Sequence, residues 1–217
     1  MDLTQTSLFS GISQADLSNL LSCLAAVERR YSKGAVILAE GEPTQWMGLV
    51  LEGRAIISCA DVWGKSSILG FAEPGAVFGE AYACVPGEAL LISVCAAEET
   101  RVLFLNVGKL LTVCGNACPF HARLIRNLLS ISAGKNLQLS RRIFHTTPKS
   151  IRGRLQSYFS ECAKKSGSLT FKLPFNRKQL ADYLGVDRSA MSSELSKMQR
   201  DGLIQVQGGT ITMLPQP

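Results

Sequence analysis

Apolar and polar residues alternate with different periods along the chain, which separates a strand-rich N-terminal region from a helical C-terminal one. Leucines at helical spacing behind Ser13, a residue suited to cap a helix, predict a first helix over residues 13–26. From residue 31 to residue 105, turns that contain glycine or proline separate short apolar runs, a pattern typical of an antiparallel roll or barrel. The predicted strands are residues 35–38, 48–51, 55–59, 67–71, 90–95 and 101–105.

Helical periodicity begins after residue 105. It predicts a short helix at residues 107–113, a turn at Gly115 and Asn116, and a long helix from Pro119 to about Arg142. Two neighbouring apolar stripes on the long helix suggest two packing partners, for example its own roll and a second copy of the chain. Packing of both stripes inside one subunit fits the same pattern equally well. The stripes are Leu124, Leu128 and Ile131, and beside them Ile125, Leu129 and Ala133.

A break in the helical pattern separates the long helix from the C-terminal residues. Thr147 is predicted to cap the next helix and Pro148 to lie in its first turn, so a hinge is expected at residues 143–147. The remainder of the chain has the size of a small independent domain.

Two short helices joined by a tight turn are predicted within this domain. Asn176 can cap the first helix, Gly185 allows the turn, and Asp187 can cap the second. This is the helix-turn-helix unit, whose second helix enters the major groove of DNA. Residues 205–212 alternate around a Gly-Gly pair and predict a β-hairpin wing, although an ordinary helical hairpin with a basic surface is the alternative. The buried face of the second helix is expected to be Met191, Leu195 and Met198.

The other side of the second helix carries groups that can read base pairs. An arginine can donate two hydrogen bonds to guanine, and serine hydroxyls tolerate several bases. Basic and amide side chains nearby suit phosphate contacts, which position a protein without reading sequence. The base-reading candidates are Arg188, Ser189, Ser192 and Ser193, and the DNA-backbone candidates are Asn176, Arg177, Lys178, Lys197, Arg200 and Gln207.

Charge is divided unevenly along the chain. Residues 1–118 carry 7 basic and 12 acidic side chains, whereas residues 119–217 carry 16 basic and 5 acidic ones. The basic half suits a phosphate backbone or an anionic membrane surface. No apolar stretch is long enough to span a bilayer, and no signal peptide is evident, so we expect a soluble cytoplasmic protein that does not bind membranes.

The seven cysteines are expected to be reduced, buried thiols, because their number is odd and most lie in apolar runs. Cys114, Cys118 and His121 are close enough in sequence to ligate haem, an iron–sulfur cluster or a metal ion. Their spacing matches no strong zinc pattern, so a structural role is favoured over a metal site. Catalytic triads, phosphate-binding loops and paired carboxylates are not evident, and an enzyme is not expected.

Several segments together resemble the family of the cyclic-AMP receptor protein and the fumarate–nitrate reduction regulator (the Crp/Fnr family). The resemblance implies an α+β protein with a cyclic-nucleotide-binding-type β-roll (a double-stranded jelly roll) at residues 1–114, a dimerisation helix and hinge at 115–145 and a winged helix-turn-helix at 146–217. It also implies a homodimer that binds duplex DNA and RNA polymerase. The matching segments are residues 31–34, 40–42, 51–53, 74–80, 177–186 and 198–204.

The chain departs from the family pattern where a cyclic nucleotide would bind. Gly79 and Glu80 match, but Leu90 and Leu91 stand where the family's arginine and serine or threonine hold the cyclic phosphate. An unpaired buried phosphate would cost several kcal/mol, so cyclic AMP and cyclic GMP are not expected as ligands. An apolar or redox ligand, or none, is expected instead. By resemblance, Asn136 faces the effector pocket from the dimer helix.

Further departures bear on the signal and the operator. The N-terminal cysteine cluster of iron–sulfur members is missing, and Ser189 and Ser193 stand where the family commonly has glutamate and arginine. We therefore expect a pseudo-palindromic operator that differs from the family's familiar ones. Three rivals stay open: a ligand-binding subunit whose basic half docks a protein, a redox or metal sensor with the same DNA output, and an RNA binder. The last would need exposed aromatic residues on the reading face, which has none.

Overall fold

The computed structural model describes residues 1–64, 66–112 and 119–214, and its contacts divide the chain into two compact units, Met1–Gly134 and Lys135–Pro217. The described helices are α1 (Gln14–Cys23), α2 (Glu80–Ala83), α3 (Val107–Leu111), α4 (Pro119–Thr146), α5 (Ile151–Ser166), α6 (Arg177–Leu184) and α7 (Arg188–Arg200). The described strands are β1 (Val27–Tyr31), β2 (Val36–Leu38), β3 (Trp46–Glu52), β4 (Ala55–Ala60), β5 (Ser66–Ala72), β6 (Val77–Phe78), β7 (Ser93–Ala96), β8 (Thr100–Asn106), β9 (Thr170–Lys172), β10 (Ile204–Gln207) and β11 (Thr210–Met213).

The first unit is built around a roll of two antiparallel four-stranded sheets, with strand orders β1-β8-β3-β6 and β2-β7-β4-β5. Side chains on a strand alternate between its two faces. Val102 and Phe104 of β8 therefore enter the core between the sheets, whereas Leu103 and Leu105 enter an outer core. The N-terminal segment, α1 and α4 contribute the other side of that outer core.

Two phenylalanine rings pack among aliphatic side chains in the core between the two sheets. Phe78 is almost fully buried, and its ring lies over β3 at Gly48, where a Cβ atom would approach the ring to 2.2 Å. Phe78 also meets Phe104 edge to face, with ring centroids 6.5 Å apart. Phe78 therefore links β3 and β8 across this core.

One apolar stripe of α4 packs on the roll, and the other does not. Leu124 and Leu128 are buried in the outer core. On the same side, the amide of Asn127 donates to two backbone carbonyls of the N-terminal segment at 2.8 and 2.9 Å. Leu129, in contrast, is 67% exposed. The alternative prediction, in which both stripes pack inside one subunit, is therefore wrong. The exposed stripe is Ile125, Leu129 and Ala133.

In the second unit, α5, α6 and α7 pack with a three-stranded antiparallel sheet of strand order β10-β11-β9. Their apolar faces meet in one core, in which Phe159, Leu180, Leu184 and Met191 are fully buried. Two helices joined by a tight turn and followed by the β10-β11 hairpin form a winged helix-turn-helix.

The fold class expected from the sequence is confirmed, since the roll, the long helix and the winged helix-turn-helix follow one another along the chain. The expected start of the next helix at Thr147 and Pro148 is wrong. Helix α5 begins at Ile151, and Ser150 caps it by accepting a hydrogen bond from a backbone N–H of the first turn. Helix α4 continues to Thr146, so most of the segment expected as a hinge is helical.

The strand predictions differ from the structure in four places. Strands β1, β6 and β9 are not among the strands predicted from the sequence, and the strand expected at residues 90–95 begins only at Ser93. The turn expected at Gly115 and Asn116 lies outside the described residues.

Candidate nucleic-acid interface

The first helix of the helix-turn-helix is closed at both ends by local geometry. At its start, the Asn176 side chain accepts a hydrogen bond from the Gln179 backbone N–H, and the Gln179 side chain accepts one from the Asn176 N–H, both at 2.9 Å. At its end, Gly185 adopts a φ of 63°, a left-handed conformation that favours glycine. Helix α6 therefore ends at the predicted turn.

Arg154 of α5 holds this turn in place. Its Nη1 donates to the carbonyl oxygens of Leu184 and Gly185 at 2.9 and 3.1 Å, and its Nε donates to that of Pro148 at 2.9 Å. A cation at the C-terminal end of α6 also complements the helix dipole. In the sequence, Arg154 contributes only to the overall basic charge, since no local pattern connects it with a turn so distant along the chain.

Replacing Arg154 with alanine is expected to lower the free energy of unfolding by about 1–3 kcal/mol, because three carbonyls lose a charged donor and two of these hydrogen bonds are part-buried. Urea unfolding followed by circular dichroism measures this loss. Arg200→Ala, which removes an exposed arginine from the same domain, is the matched control and should change stability by less than about 0.5 kcal/mol. Equal losses in the two variants would contradict the role given to Arg154.

Helix α7 is fixed by its cap, its buried face and an ion pair. The Asp187 carboxylate accepts hydrogen bonds from the Ser189 hydroxyl and from the Ala190 N–H, and these lower its pKa. Arg152 of α5 contacts Glu194 in the middle of α7 at 2.5 Å and Asp201 at its end at 2.7 Å. The face predicted to be buried is buried, and it consists of Met191, Leu195 and Met198.

The opposite face of α7 is polar and open. Ser189, Ser193, Ser196 and Arg200 follow one another at spacings of four, three and four residues, so they lie on one side of the helix, and all four are exposed. Arg188 is also exposed, at the N-terminal end of α7. A rigidly held helix thus presents an arginine and several hydroxyls at the surface.

Besides Ser189, which donates to Asp187, two further hydroxyls on α7 are already engaged as donors. Ser192 Oγ donates to the Arg188 carbonyl at 2.9 Å, and Ser196 Oγ donates to the Ser192 carbonyl at 3.1 Å. Because the hydrogen of each hydroxyl is already engaged, its oxygen can only accept further hydrogen bonds. The exocyclic amino groups of adenine and cytosine are suitable donors. Ser192 is half-buried, whereas Ser193 is exposed.

Most of the candidates for phosphate contacts lie at the surface. Lys178, Lys197, Arg200 and Gln207 are exposed, whereas Arg177 is half-buried. Asn176 is exposed too, but its side-chain oxygen is engaged in the cap of α6. The wing is tied to α7, because the Gln199 side chain accepts a hydrogen bond from the Val206 N–H at 3.0 Å.

The last turn of α4 is held against the helix-turn-helix by a polar cluster that the sequence did not reveal. Arg142 donates to the carbonyl oxygens of Tyr183 and Asp182 at 3.2 and 3.3 Å. His145 is buried, with Nδ1 2.9 Å from the Tyr183 hydroxyl and Nε2 2.7 Å from a Glu161 carboxylate oxygen. The residues from Lys135 onward thus belong to the same compact unit as the helix-turn-helix.

Protonation states in this cluster follow from burial and neighbouring charge. Burial lowers the pKa of His145 more than Glu161 raises it, so the imidazole is neutral near pH 7. Burial alone would raise the pKa of Glu161, but the hydrogen bond and charge of Lys165, with His145 and Arg141, bring it below its ordinary value. Burial also raises the pKa of Tyr183 and that of the neighbouring Cys162.

The second unit should lose stability as the pH falls below about 6.5, the ordinary pKa of histidine. Below that pH, His145 is protonated in the unfolded chain but stays neutral in the folded chain, because its folded-state pKa is lowered. The free energy of unfolding then falls with decreasing pH, with a limiting slope of about 1.4 kcal/mol per pH unit. Glu161 does not contribute to the pH dependence of the unfolding free energy in this range. The stability that its carboxylate provides is lost only at lower pH, as the pH falls through its lowered pKa. Urea unfolding at pH 7.5 and 5.5 measures the loss. His145→Gln should reduce it, and an identical pH dependence in the variant would contradict this origin.

The residues predicted to line an effector pocket do not share one environment. Gly79 caps α2 with a φ of 74°, Glu80 and Leu90 are buried, and Leu91 is 68% exposed. Asn136 lies in the second unit and is exposed. A separate cavity of about 170 Å³ lies in the roll. It is lined by Val27, Arg29, Ile37, Leu38, Thr44, Trp46 and Phe104.

The cysteine–histidine group can be placed only in part. Cys114 and Cys118 lie outside the described residues, and His121 is buried in the first turns of α4. Among the residues that the structure describes, no three histidine, cysteine, aspartate or glutamate side chains are grouped as a metal site. Within the same residues, no helix is long and apolar enough to cross a bilayer.

Two protein-family models match the chain: a cyclic nucleotide-binding domain over residues 28–116 and a Crp-like helix-turn-helix domain over residues 153–215. The "CRP-like cAMP-activated global transcriptional regulator" of Mycobacterium tuberculosis (strain ATCC 25618 / H37Rv) is 22% identical over 214 residues, covering 96% of this chain and 92% of its own. The "Transcriptional activator protein FnrL" of Cereibacter sphaeroides is 22% identical over 196 residues, covering 83% and 73%.

Solved structures show the same fold. The catabolite activator protein of Thermus thermophilus superposes with a TM-score of 0.52 at 22% identity, covering 96% of this chain and 94% of its own. CprK in complex with OCPA superposes with a TM-score of 0.63 at 19% identity, covering 91% and 90%. The matched relatives are transcription regulators, which confirms that the chain is not an enzyme. The two matched domains, in this order and on this fold, make the chain a member of the Crp/Fnr family of transcription regulators, with a helix-turn-helix DNA-binding domain.

Proposed function

We propose that the protein binds a pseudo-palindromic duplex DNA operator as a homodimer. In this proposal, a signal read by the roll changes the packing of α4, and this change moves the two α7 helices of the dimer. The observation that carries the proposal is the surface of α7. An exposed arginine and a line of exposed serines lie on a helix fixed by Asp187, Arg152 and an apolar core. Base edges in the major groove are read by such groups.

The exposed stripe of α4 supports the homodimer. Ile125, Leu129 and Ala133 lie on one side of a long helix whose other apolar side is already buried. Apolar stripes of this kind mark association surfaces, and two copies related by a two-fold axis would cover each other's stripe. Such a dimer would match two half-sites about one helical turn, roughly 34 Å, apart. RNA polymerase as a partner and a cytoplasmic location belong to the same proposal.

The proposed signal is not cyclic AMP or cyclic GMP. Leu90 is buried and supplies neither charge nor hydroxyl for a cyclic phosphate. The roll cavity of about 170 Å³ is also smaller than the roughly 300 Å³ at which small-molecule sites begin. A small apolar ligand, a redox signal or no ligand fits these observations better.

Haem or an iron–sulfur cluster held through Cys114, Cys118 and His121 is the second candidate for the input. These residues suggest it by chemistry and sequence position alone. The absorption spectrum of protein purified without oxygen tests it. A colourless protein free of iron and zinc that still binds DNA would exclude this input and leave the DNA-binding proposal intact.

A mobility-shift titration against genomic fragments tests the DNA function. We expect saturable binding to a subset of fragments in the presence of excess non-specific competitor, and affinity that falls steeply with salt. The rival function is a ligand-binding subunit whose basic half docks a protein. It predicts no sequence preference, so equal binding to all fragments would overturn the proposal.

A further inference from the structure

A second cavity, of about 680 Å³, lies entirely within the C-terminal unit. Residues of α4, α5, β9, the loop after β9 and α6 line it, so it is separate from the exposed face of α7. Its volume falls within the roughly 300–1,000 Å³ of small-molecule sites, which the roll cavity does not reach.

One wall of this cavity is aromatic. The Phe175 ring stacks on Tyr158 with centroids 6.1 Å apart and lies 5.2 Å from the centroid of Tyr183. The Tyr183 hydroxyl is engaged with His145. The wall therefore offers ring surface to an occupant, and flat aromatic molecules pack well against such surface.

The charged groups around the cavity favour an anion. Three cations, Arg141, Lys165 and Lys172, line it with a single carboxylate, Glu161. That carboxylate is already shared by Arg141, Lys165 and His145. Lys172 on β9 is exposed and has no carboxylate partner among the described ion pairs. An occupant with one negative group would supply the partner that Lys172 lacks.

We propose that this cavity is a binding site for a small aromatic carboxylate. The ring of the ligand lies against Phe175 and Tyr183, and its carboxylate pairs with Lys172. Because the cavity also includes His145, an occupant would contact the cluster that holds the last turn of α4 on the helix-turn-helix. This cavity shares no lining residue with the cavity in the roll.

Titration of the full-length protein with benzoate, followed by amide chemical shifts, tests the site. Benzoate should shift the amides of Lys172, Phe175 and Cys162 and saturate at one molecule per subunit. Benzyl alcohol lacks the charge and cyclohexanecarboxylate lacks the aromatic ring, so each should bind at least about fivefold more weakly. Inorganic phosphate binding at the same residues as tightly as benzoate would overturn the proposal, since it would indicate a general anion site.

A matched pair of variants locates the binding. Lys172→Glu should weaken benzoate binding at least about fivefold, whereas Lys164→Glu, an equal charge change at an exposed residue of α5 outside the cavity, should change it less than about twofold. Equal effects of the two variants, or the absence of any saturable shift, would overturn the proposal. The titration contains no DNA, so its failure leaves the proposed DNA binding untouched.

Discussion

Replacing Leu129 with glutamate is expected to convert the protein to a monomer and to lower its affinity for a two-half-site operator by more than about 100-fold. Leu129 is exposed at the centre of the apolar stripe of α4, and two facing carboxylates would prevent the stripes of two copies from packing. A monomer then binds each half-site singly and loses the gain of bivalent binding, which is roughly 100- to 10,000-fold. Analytical ultracentrifugation and a DNA titration measure the two effects.

Ser130→Glu is the control for this substitution. It places the same charge on the next residue of α4, which is exposed and belongs to neither apolar stripe. It should leave both mass and affinity nearly unchanged. A Leu129→Glu protein that keeps the mass and affinity of the wild type would contradict the proposed dimer.

Replacing Arg188 with alanine should cost about 1–3 kcal/mol of binding free energy at one base pair of each half-site and abolish the preference for guanine there. Arg188 is exposed at the start of α7, where recognition helices contact base edges. Binding-site motifs selected by wild-type and variant protein reveal the change.

Lys197→Ala separates base reading from phosphate contact. Lys197 is exposed near the end of α7, and its loss should weaken binding to all sequences about equally. The slope of log affinity against log salt should become shallower by about 0.9 for each phosphate contact removed. An unchanged motif for Arg188→Ala would refute its role as a base reader, whatever Lys197→Ala does.

The helix-turn-helix was predictable because its signals are local. Asn176, Gly185 and Asp187 each act within a few residues of their own position, and periodicity alone selects the buried face of α7. The resemblance to the family rests on the same short segments. Where neighbouring residues decide the structure, the sequence and the structure agree.

The start of α5 shows where local signals compete. Thr147 and Ser150 are both suitable caps, and a proline follows the first of them. Ser150 caps the helix, while Thr147 donates its hydroxyl to the Ile143 carbonyl at the end of α4. The Pro148 carbonyl accepts from Arg154. Which of the two residues caps α5 therefore depends on contacts with the end of α4 and with Arg154 inside α5. The local sequence pattern of a helix cap does not include these contacts.

Strand β1 was missed because its residues are mostly charged. Its sequence, Val-Glu-Arg-Arg-Tyr, lacks the alternation of apolar and polar residues that is typical of a strand. Arg29 nevertheless packs on the core, because its guanidinium lies over the Phe104 ring, 5.8 Å from the ring centroid. Pairing with β8 specifies the strand. The His145 cluster was missed for a related reason, since it joins residues from three helices that are distant in sequence.

Operator binding by a dimer can be measured directly by selecting bound sequences from a random duplex library. We expect enrichment of a pseudo-palindromic motif with half-sites about one helical turn, roughly 34 Å, apart and a guanine in each half-site that depends on Arg188. The motif should differ from the operators of the cyclic-AMP receptor protein and the fumarate–nitrate reduction regulator, because Ser189 and Ser193 replace the family's glutamate and arginine. A library that emerges with no enriched motif would contradict sequence-specific DNA binding by this protein.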